Sequence, residues 1–263
     1  MSVEPTPTPT PIPIPIPIDR LAPGRRPSGR AVMYQSWRSL LFLHWALPSE
    51  IVGALLPPGL ELDTFDGKAY VGLVPFTMRG IRPRGLPAVP WLSNFHETNV
   101  RTYVHVNGSD PGVWFFSLDA ANLIAVALAR TLFHLPYHHA RMSLTTEACS
   151  GTLTYTSQRN LPSTRGSAIT SIQCIPQGNS GPAAVNTLDH FLLERYFLYA
   201  FAGGDLFRGQ VHHTPYLVQT ADLLTFEETL FAAEGLRRPE TSPIVHFSHG
   251  VDVEIFSLRK LSK

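Results

Sequence analysis

Lysine is nearly missing from this 263-residue chain: it occurs only at Lys68, Lys260 and Lys263, and arginine supplies the rest of the 21 basic side chains. Any reaction that needs a buried amine therefore has three candidates. An excess of either charge is missing as well. With 20 acidic side chains and a formal net charge of +1, spread without runs, there is no electrostatic footprint for nucleic acid or an anionic membrane. Cysteine is limited to Cys149 and Cys174. Both sit in strand-like segments, and no basic, apolar and small-residue leader opens the chain. A secreted disulfide scaffold is therefore not indicated, free and mostly buried thiols are expected, and the location expected is cytoplasmic. No apolar run reaches the roughly 18 residues of a membrane span, because Pro, Gly or charge interrupts each one.

Cofactor and metal signatures are absent too. There is no P-loop, dinucleotide glycine motif, nucleophile elbow, Cys-x-x-Cys or His-Glu-x-x-His. The chain has eleven histidines. The adjacent pairs His138-His139 and His212-His213 would point to opposite faces of a strand, so neither pair can grip one ion. No metal and no cofactor are expected.

What is present is enough apolar sequence for one sizeable core, 44% of residues. Residues 4–18 carry proline at every second position from Pro5 to Pro17. Alternate backbone donors are thereby removed and φ is held near the polyproline value, so an extended, disordered tail is expected. Arg25, Arg26 and Arg30 follow as a solvated linker. The expected organisation is a tail and linker over 1–30, one domain over 31–258, and a short tail over 259–263.

The domain is written mostly in strand grammar. Asp66-Gly67 separates Leu60-Glu61-Leu62 from the apolar run 69–74, the two-residue turn that matches strand twist. A second hairpin is predicted at 107–112, between the runs 95–106 and 113–118. Further strands are predicted at 138–147, 150–157, 167–175, 205–213, 244–248 and 251–257 from their β-branched and aromatic content. Gly203-Gly204 reads as a sharp bend. Helical segments are predicted after Pro48, from Asp119 as cap through Phe133, after Thr187, and from Thr225 to Glu234. In the second of these, Leu123, Ile124, Ala127, Leu128, Thr131 and Leu132 form an apolar stripe suited to packing on a sheet. Strands that outnumber helices without strict alternation define an α+β fold built on a strongly curved antiparallel sheet or barrel.

The stretch 95–106 carries the most chemistry. Alternation puts Glu97, Asn99, Arg101, Tyr103 and His105 on one face and Val100, Val104 and Val106 on the other. The neighbouring run Val113-Trp114-Phe115-Phe116-Ser117-Leu118 is apolar on both faces, so protein covers both sides of the sheet here. The polar face then lines an enclosed cavity in which charges must be paired or used. Glu97 and Arg101 lie about 13 Å apart along a strand and cannot pair with each other. An arginine at one depth is the natural fork for a carboxylate, with the Asn99 amide between it and Glu97.

The run Arg130-Thr131-Leu132-Phe133-His134-Leu135-Pro136-Tyr137-His138-His139 resembles the Arg-x-x-aromatic-Gly-aromatic-Pro-Lys-Lys signature of acetoacetate decarboxylases. The segment around Glu97 resembles their strand with a pocket glutamate. A wider pattern resembles the YqjF-like family, a bacterial group of unknown function within the acetoacetate decarboxylase-like superfamily. It spans Trp37 to Phe76, Glu97 to Tyr103, Gly112 to Asp119, Glu194-Arg195-Tyr196 and Val251 to Glu254. The resemblance covers roughly residues 31–258 and implies that superfamily's fold. It also implies a departure. The decarboxylases form a Schiff base on the first lysine of the pair, and here those positions are Tyr137 and His138, so Schiff-base decarboxylation is not expected.

The resulting expectation is a cavity with Glu97, Tyr137 and His138 as candidate catalytic groups, only one of the last two facing inward. Asn99 and Arg101, with Tyr103, Phe76, Trp91 and Trp114 as walls, are the candidate ligand-binding residues. The expected partner is a small molecule bearing a carboxylate or keto group, turned over, if at all, without lysine. The rival is a scaffold or interaction protein whose cavity is filled by side chains. Oligomeric state is not legible.

Overall fold

Turn chemistry sets the first hairpins of the computed structural model, which describes residues 18–160 and 168–261. The run up to Pro17 lies outside the described residues. Asp66 and Gly67 both adopt positive φ, 49° and 74°, and so do Asn107 and Gly108, 49° and 69°. These are the mirror-image turns whose twist suits a hairpin. The second turn is tighter than the six-residue connection expected, because Asn107-Gly108 alone joins the strands on either side.

In chain order the elements are β1 (Met33–Leu47), α1 (Ser49–Gly53), β2 (Glu61–Leu62), β3 (Ala69–Pro83), β4 (Phe95–Val106) and β5 (Ser109–Ala120). They continue with α2 (Leu123–Phe133), β6 (Tyr137–Thr146), β7 (Leu153–Arg159), β8 (Ile169–Pro182) and α3 (Leu188–Leu193). The rest are β9 (Phe197–Ala202), β10 (Asp205–His212), β11 (Leu217–Glu228), α4 (Leu230–Ala233), β12 (Ile244–Ile255) and β13 (Arg259–Lys260). All strands belong to one 13-stranded sheet in the order β13-β10-β9-β5-β6-β7-β8-β11-β12-β1-β3-β4-β2. Two more pairings, β4 with β5 and β10 with β12, curl the sheet strongly and close part of it into a ring. Every pairing is antiparallel except β5 with β6 and β5 with β9. The fold is α+β, with a strongly curved, mostly antiparallel sheet.

The curled sheet is apolar on both faces. Leu40 and Phe42 of β1 join Val74, Phe76, Leu118 and Tyr137 on one side. Leu41, Leu43 and Trp45 join Val71, Leu73, Val100 and Ile172 on the other. A kink in β1 fixes which residues go where. Ser39 takes φ 51°, and one extra residue is accommodated between Arg38 and Leu43 against β3. Met33, Gln35 and Trp37 before the kink therefore share a face with Leu40 and Phe42 after it. Gly250 opposes the kink in β12 at φ 135°, where a Cβ would overlap the Trp37 carbonyl oxygen.

Several local expectations are corrected. The cap of α2 is Asn122, whose side chain accepts from the backbone N–H of Ile124 at 3.1 Å and of Ala125 at 3.0 Å. Asp119 instead ends β5 as a buried partner of Arg159 at 2.7 Å. The stripe expected to pack on the sheet faces out: Leu123, Ile124, Leu128 and Leu132 are exposed, and the helix docks through Ala125, Val126, Ala129 and Phe133. Its small alanines permit closer approach than leucines would. Thr225 does not open a helix, because β11 runs on to Glu228. The two candidates 244–248 and 251–257 are one strand, β12. Cys174 is buried as expected and Cys149 is exposed.

The linker packs on the domain from residue 18 onward. Pro23 is buried, and its carbonyl accepts from Gln210 Nε2 at 3.1 Å. Arg20 pairs with buried Asp63, and Arg26 with Glu254 at 2.5 Å. At the other end Arg259 and Lys260 add β13 beside β10. Among the described residues no helix is long and apolar enough to cross a membrane.

Candidate functional site

Register brings the polar face of β4 onto a cavity. Phe76 lies opposite Glu97, and Val74 opposite Asn99. On the other flank Asn99 lies opposite Leu118, which in turn pairs with Tyr137 in the parallel β5–β6 ladder. Residues side by side in neighbouring strands face the same way, so Val74, Asn99, Leu118 and Tyr137 form one row. That row borders a cavity of about 470 Å³. It runs along β4 for about 20 Å, from Phe95 at the outer end to Arg101 at the inner end.

Glu97 sits midway and is buried. Its Oε2 accepts the Tyr137 hydroxyl at 2.8 Å. Burial pushes its pKa up to about 8, against the opposing pull of the Tyr137 and Asn99 hydrogen bonds, and the nearby Asp119 charge raises it further. The carboxyl is thus mostly protonated at neutral pH in an apolar wall, the condition that lets a carboxylic acid donate a proton. The Tyr137 phenol is pushed well above its ordinary value by its own burial and by Glu97, so it acts as a donor. Asn99 Oδ1 is buried without a partner.

Arg101 closes the inner end. Its Nη2 donates to the Leu192 carbonyl at 3.3 Å, its Nε has no partner, and no carboxylate among the described residues pairs with it. The guanidinium lies over the Phe42 ring at 5.6 Å and near that of Tyr103 at 5.9 Å. Arg195 stands beside it on the wall but is paired, donating to Asp63 at 2.6 Å and to the Phe191 carbonyl at 2.8 Å. The neighbouring carboxylate, Glu194, is held by the Tyr196 hydroxyl at 2.5 Å and the Tyr216 backbone N–H at 2.9 Å. A buried cation without a counter-charge is costly unless something else supplies one.

The other expected residues are placed elsewhere. Tyr103 backs the inner end from outside the cavity: its hydroxyl donates to the Leu192 carbonyl at 2.6 Å and meets His44 Nε2 at 2.7 Å. Because the phenol has one proton, His44 Nε2–H must be the donor in that second bond. Burial, then the Arg101 charge, keeps His44 neutral. His138 follows Tyr137 and so faces away, toward the Asp119–Arg159 pair. Burial and the charges of Arg159 and Arg130 bring its pKa down to about 4. Trp114 points to that same opposite side of the sheet, packed on Leu60, Val104 and Tyr199. Trp91 is 70% exposed on the loop before β4. Gln35, Trp37, Arg195 and Tyr216 join the wall without having been anticipated. Trp37 and Arg195 had a signal, each within a run that carries the family resemblance, Trp37 to Phe76 and Glu194-Arg195-Tyr196. Among the described residues, no three His, Cys, Asp or Glu side chains cluster to hold a metal ion. Lys68 lies on a turn, Lys260 pairs with Asp205 at 2.7 Å, and neither borders the cavity.

This strongly curled sheet is the acetoacetate decarboxylase-like fold. The structure is similar to that of the enduracididine biosynthesis enzyme MppR complexed with the condensation product of pyruvate and imidazole 4-carboxaldehyde. The TM-score is 0.61 at 13% identity, over 89% of this chain and 90% of that one. It is equally similar to an acetoacetate decarboxylase-like enzyme from Sphingomonas wittichii RW1, with a TM-score of 0.61 at 10% identity over 89% of this chain and 94% of that one. The family is narrower: residues 34–252 match DUF2071, described as an uncharacterized conserved protein, and the chain belongs to that family. It is 38% identical over 238 residues to the protein YqjF of Bacillus subtilis (strain 168), covering 90% of this chain and 95% of that one.

Proposed function

We propose that the cavity binds a small organic carboxylate. Arg101 holds the ligand's carboxylate at the inner end, and Glu97 with Tyr137 donates and recovers a proton on the bound molecule without any amine. The observation that carries this reading is the buried Arg101 guanidinium, which borders an open volume and lacks a carboxylate partner among the described residues. A guanidinium fork and a carboxylate form charge-assisted, often bidentate hydrogen bonds. Asn99 Oδ1, also unpartnered, supplies an acceptor between that fork and Glu97. MppR, a protein of similar fold, is complexed with a product made from pyruvate, an organic acid. A scaffold whose cavity is filled by side chains would leave neither the volume nor the open polar atoms.

Calorimetric titration of small organic carboxylates against the wild type and Arg101→Met tests the reading. A hydrogen bond to a charged group contributes about 1.5–3 kcal/mol, so Arg101→Met should weaken binding at least tenfold. Equal binding by both proteins would place the carboxylate somewhere other than Arg101.

A further inference from the structure

The cavity's polarity is graded along its length. Its charged groups lie on the inner half, from Glu97 to Arg101 and Arg195, whereas the outer half, apart from Gln35 and Ser93, is walled by apolar side chains that include Ile81, Pro83, Leu86, Leu128 and Leu132. Three of these wall residues are also open to solvent: Leu86 is 60% exposed, Leu128 50% and Leu132 59%. Side chains that line the cavity and face water at once mark its mouth, which lies between the 84–92 loop and α2. Such a mouth would ordinarily be polar, and an apolar rim continuous with an apolar channel indicates something apolar that passes through it. The loop is tied to the helix by the Asn122 Nδ2 bond to the Trp91 carbonyl at 3.2 Å. Size points the same way. At about 30 Å³ per water-sized unit, a volume near 470 Å³ holds roughly fifteen non-hydrogen atoms, about two to three times a three-carbon acid.

We infer that the ligand is an amphiphilic acid, its carboxylate on Arg101 and its hydrocarbon body extending past Glu97 to the leucine-lined mouth. The inference rests on the carboxylate-binding reading and narrows it to a class of molecule. The chain passes the Glu97–Tyr137 pair on its way out, so the carbons a few bonds from the carboxylate lie nearest the proton donor. The exposed leucines of α2 become the outer wall of a binding channel.

Titration of butanoate, octanoate and dodecanoate, each below its micellar concentration, with octanol as the uncharged control, tests the inference. Burying one methylene contributes a factor of about three to four in affinity. Octanoate should therefore bind on the order of a hundredfold more tightly than butanoate, with dodecanoate tighter still. A Leu128→Asp, Leu132→Asp double variant changes half-exposed side chains and should leave the circular dichroism spectrum of the wild type unchanged. It should weaken dodecanoate at least tenfold and leave butanoate unchanged. Butanoate bound as tightly as octanoate would overturn the inference and leave the small-carboxylate reading standing. Octanol bound as tightly as octanoate would overturn the acid head group, and no binding of any acid would overturn both.

Discussion

Replacing Glu97 by Gln should make the fold more tolerant of alkali. The folded-state pKa of Glu97 is raised from 4.5 to about 8, so folding favours its protonated form. The stability tied to that proton is fully present below pH 4.5, declines as the pH rises, and is gone above about 8. Within the window the decline is about 1.4 kcal/mol per pH unit, and across the whole of it about 5 kcal/mol. Other buried groups are shifted as well, Glu194 and Glu228 upward like Glu97. Asp119, raised to about 6, changes stability in the same direction but is finished by then. His138 and His213, both lowered to about 4, change it in the opposite direction and are finished near 6.5. The part of the slope that belongs to Glu97 is the difference between wild type and Glu97→Gln, in which the other groups cancel. Glutamine keeps the oxygen that accepts the Tyr137 hydroxyl and removes the titration. Urea midpoints of wild type and Glu97→Gln should agree within about 1 kcal/mol near pH 4.5 and diverge steadily above it, the wild type losing about 4 kcal/mol more by pH 8, about 2 kcal/mol of it above pH 6.5. Parallel stability curves would refute the reasoning, since Glu97 would then titrate as it does in the unfolded chain.

Three further outcomes are expected. Asp63→Asn strands the buried Arg195 guanidinium, now held by Asp63 at 2.6 Å, and should cost about 3–5 kcal/mol in a denaturant titration. Deleting residues 1–28 removes the buried Pro23 and the Arg20 and Arg26 ion pairs. The melting temperature should fall, and an unchanged value would show that these contacts contribute nothing. Borohydride added with pyruvate or acetoacetate should leave the protein's mass unchanged, because neither Lys68 nor Lys260 borders the cavity; an adduct on Lys68 would contradict that.

The α+β class and the strongly curved sheet were legible from the strand content, and alternation told which side chains of β4 share a face. The order Glu97, Asn99, Arg101 was legible because β4 is regular there and its neighbour β5 is apolar on both faces. Which of Tyr137 and His138 faces inward was not legible, since the answer lies in the parallel pairing of Leu118 with Tyr137, set by residues nineteen apart in the chain. Trp37 was missed because no strand was expected over 33–47, and a single serine gives no sign of the positive φ that puts Trp37 on the same face as Leu40 and Phe42. The faces of α2 were exchanged because both are apolar. Hydrophobicity chose the leucines, whereas close approach to the sheet chose the alanines. Trp91 and Trp114 were placed on the wall from aromaticity alone, which says nothing of direction.

The stability of Arg101→Met tests the central claim most directly. If Arg101 is held for a ligand, then in the ligand-free protein it is a buried cation without a counter-charge. An apolar side chain of similar length should then leave the urea midpoint unchanged or raise it. If Arg101 instead completes a structural network, its removal leaves partners unsatisfied, and the protein should lose on the order of 3–5 kcal/mol. A midpoint equal to or above that of the wild type is the expected result, and a fall of that size would contradict the account.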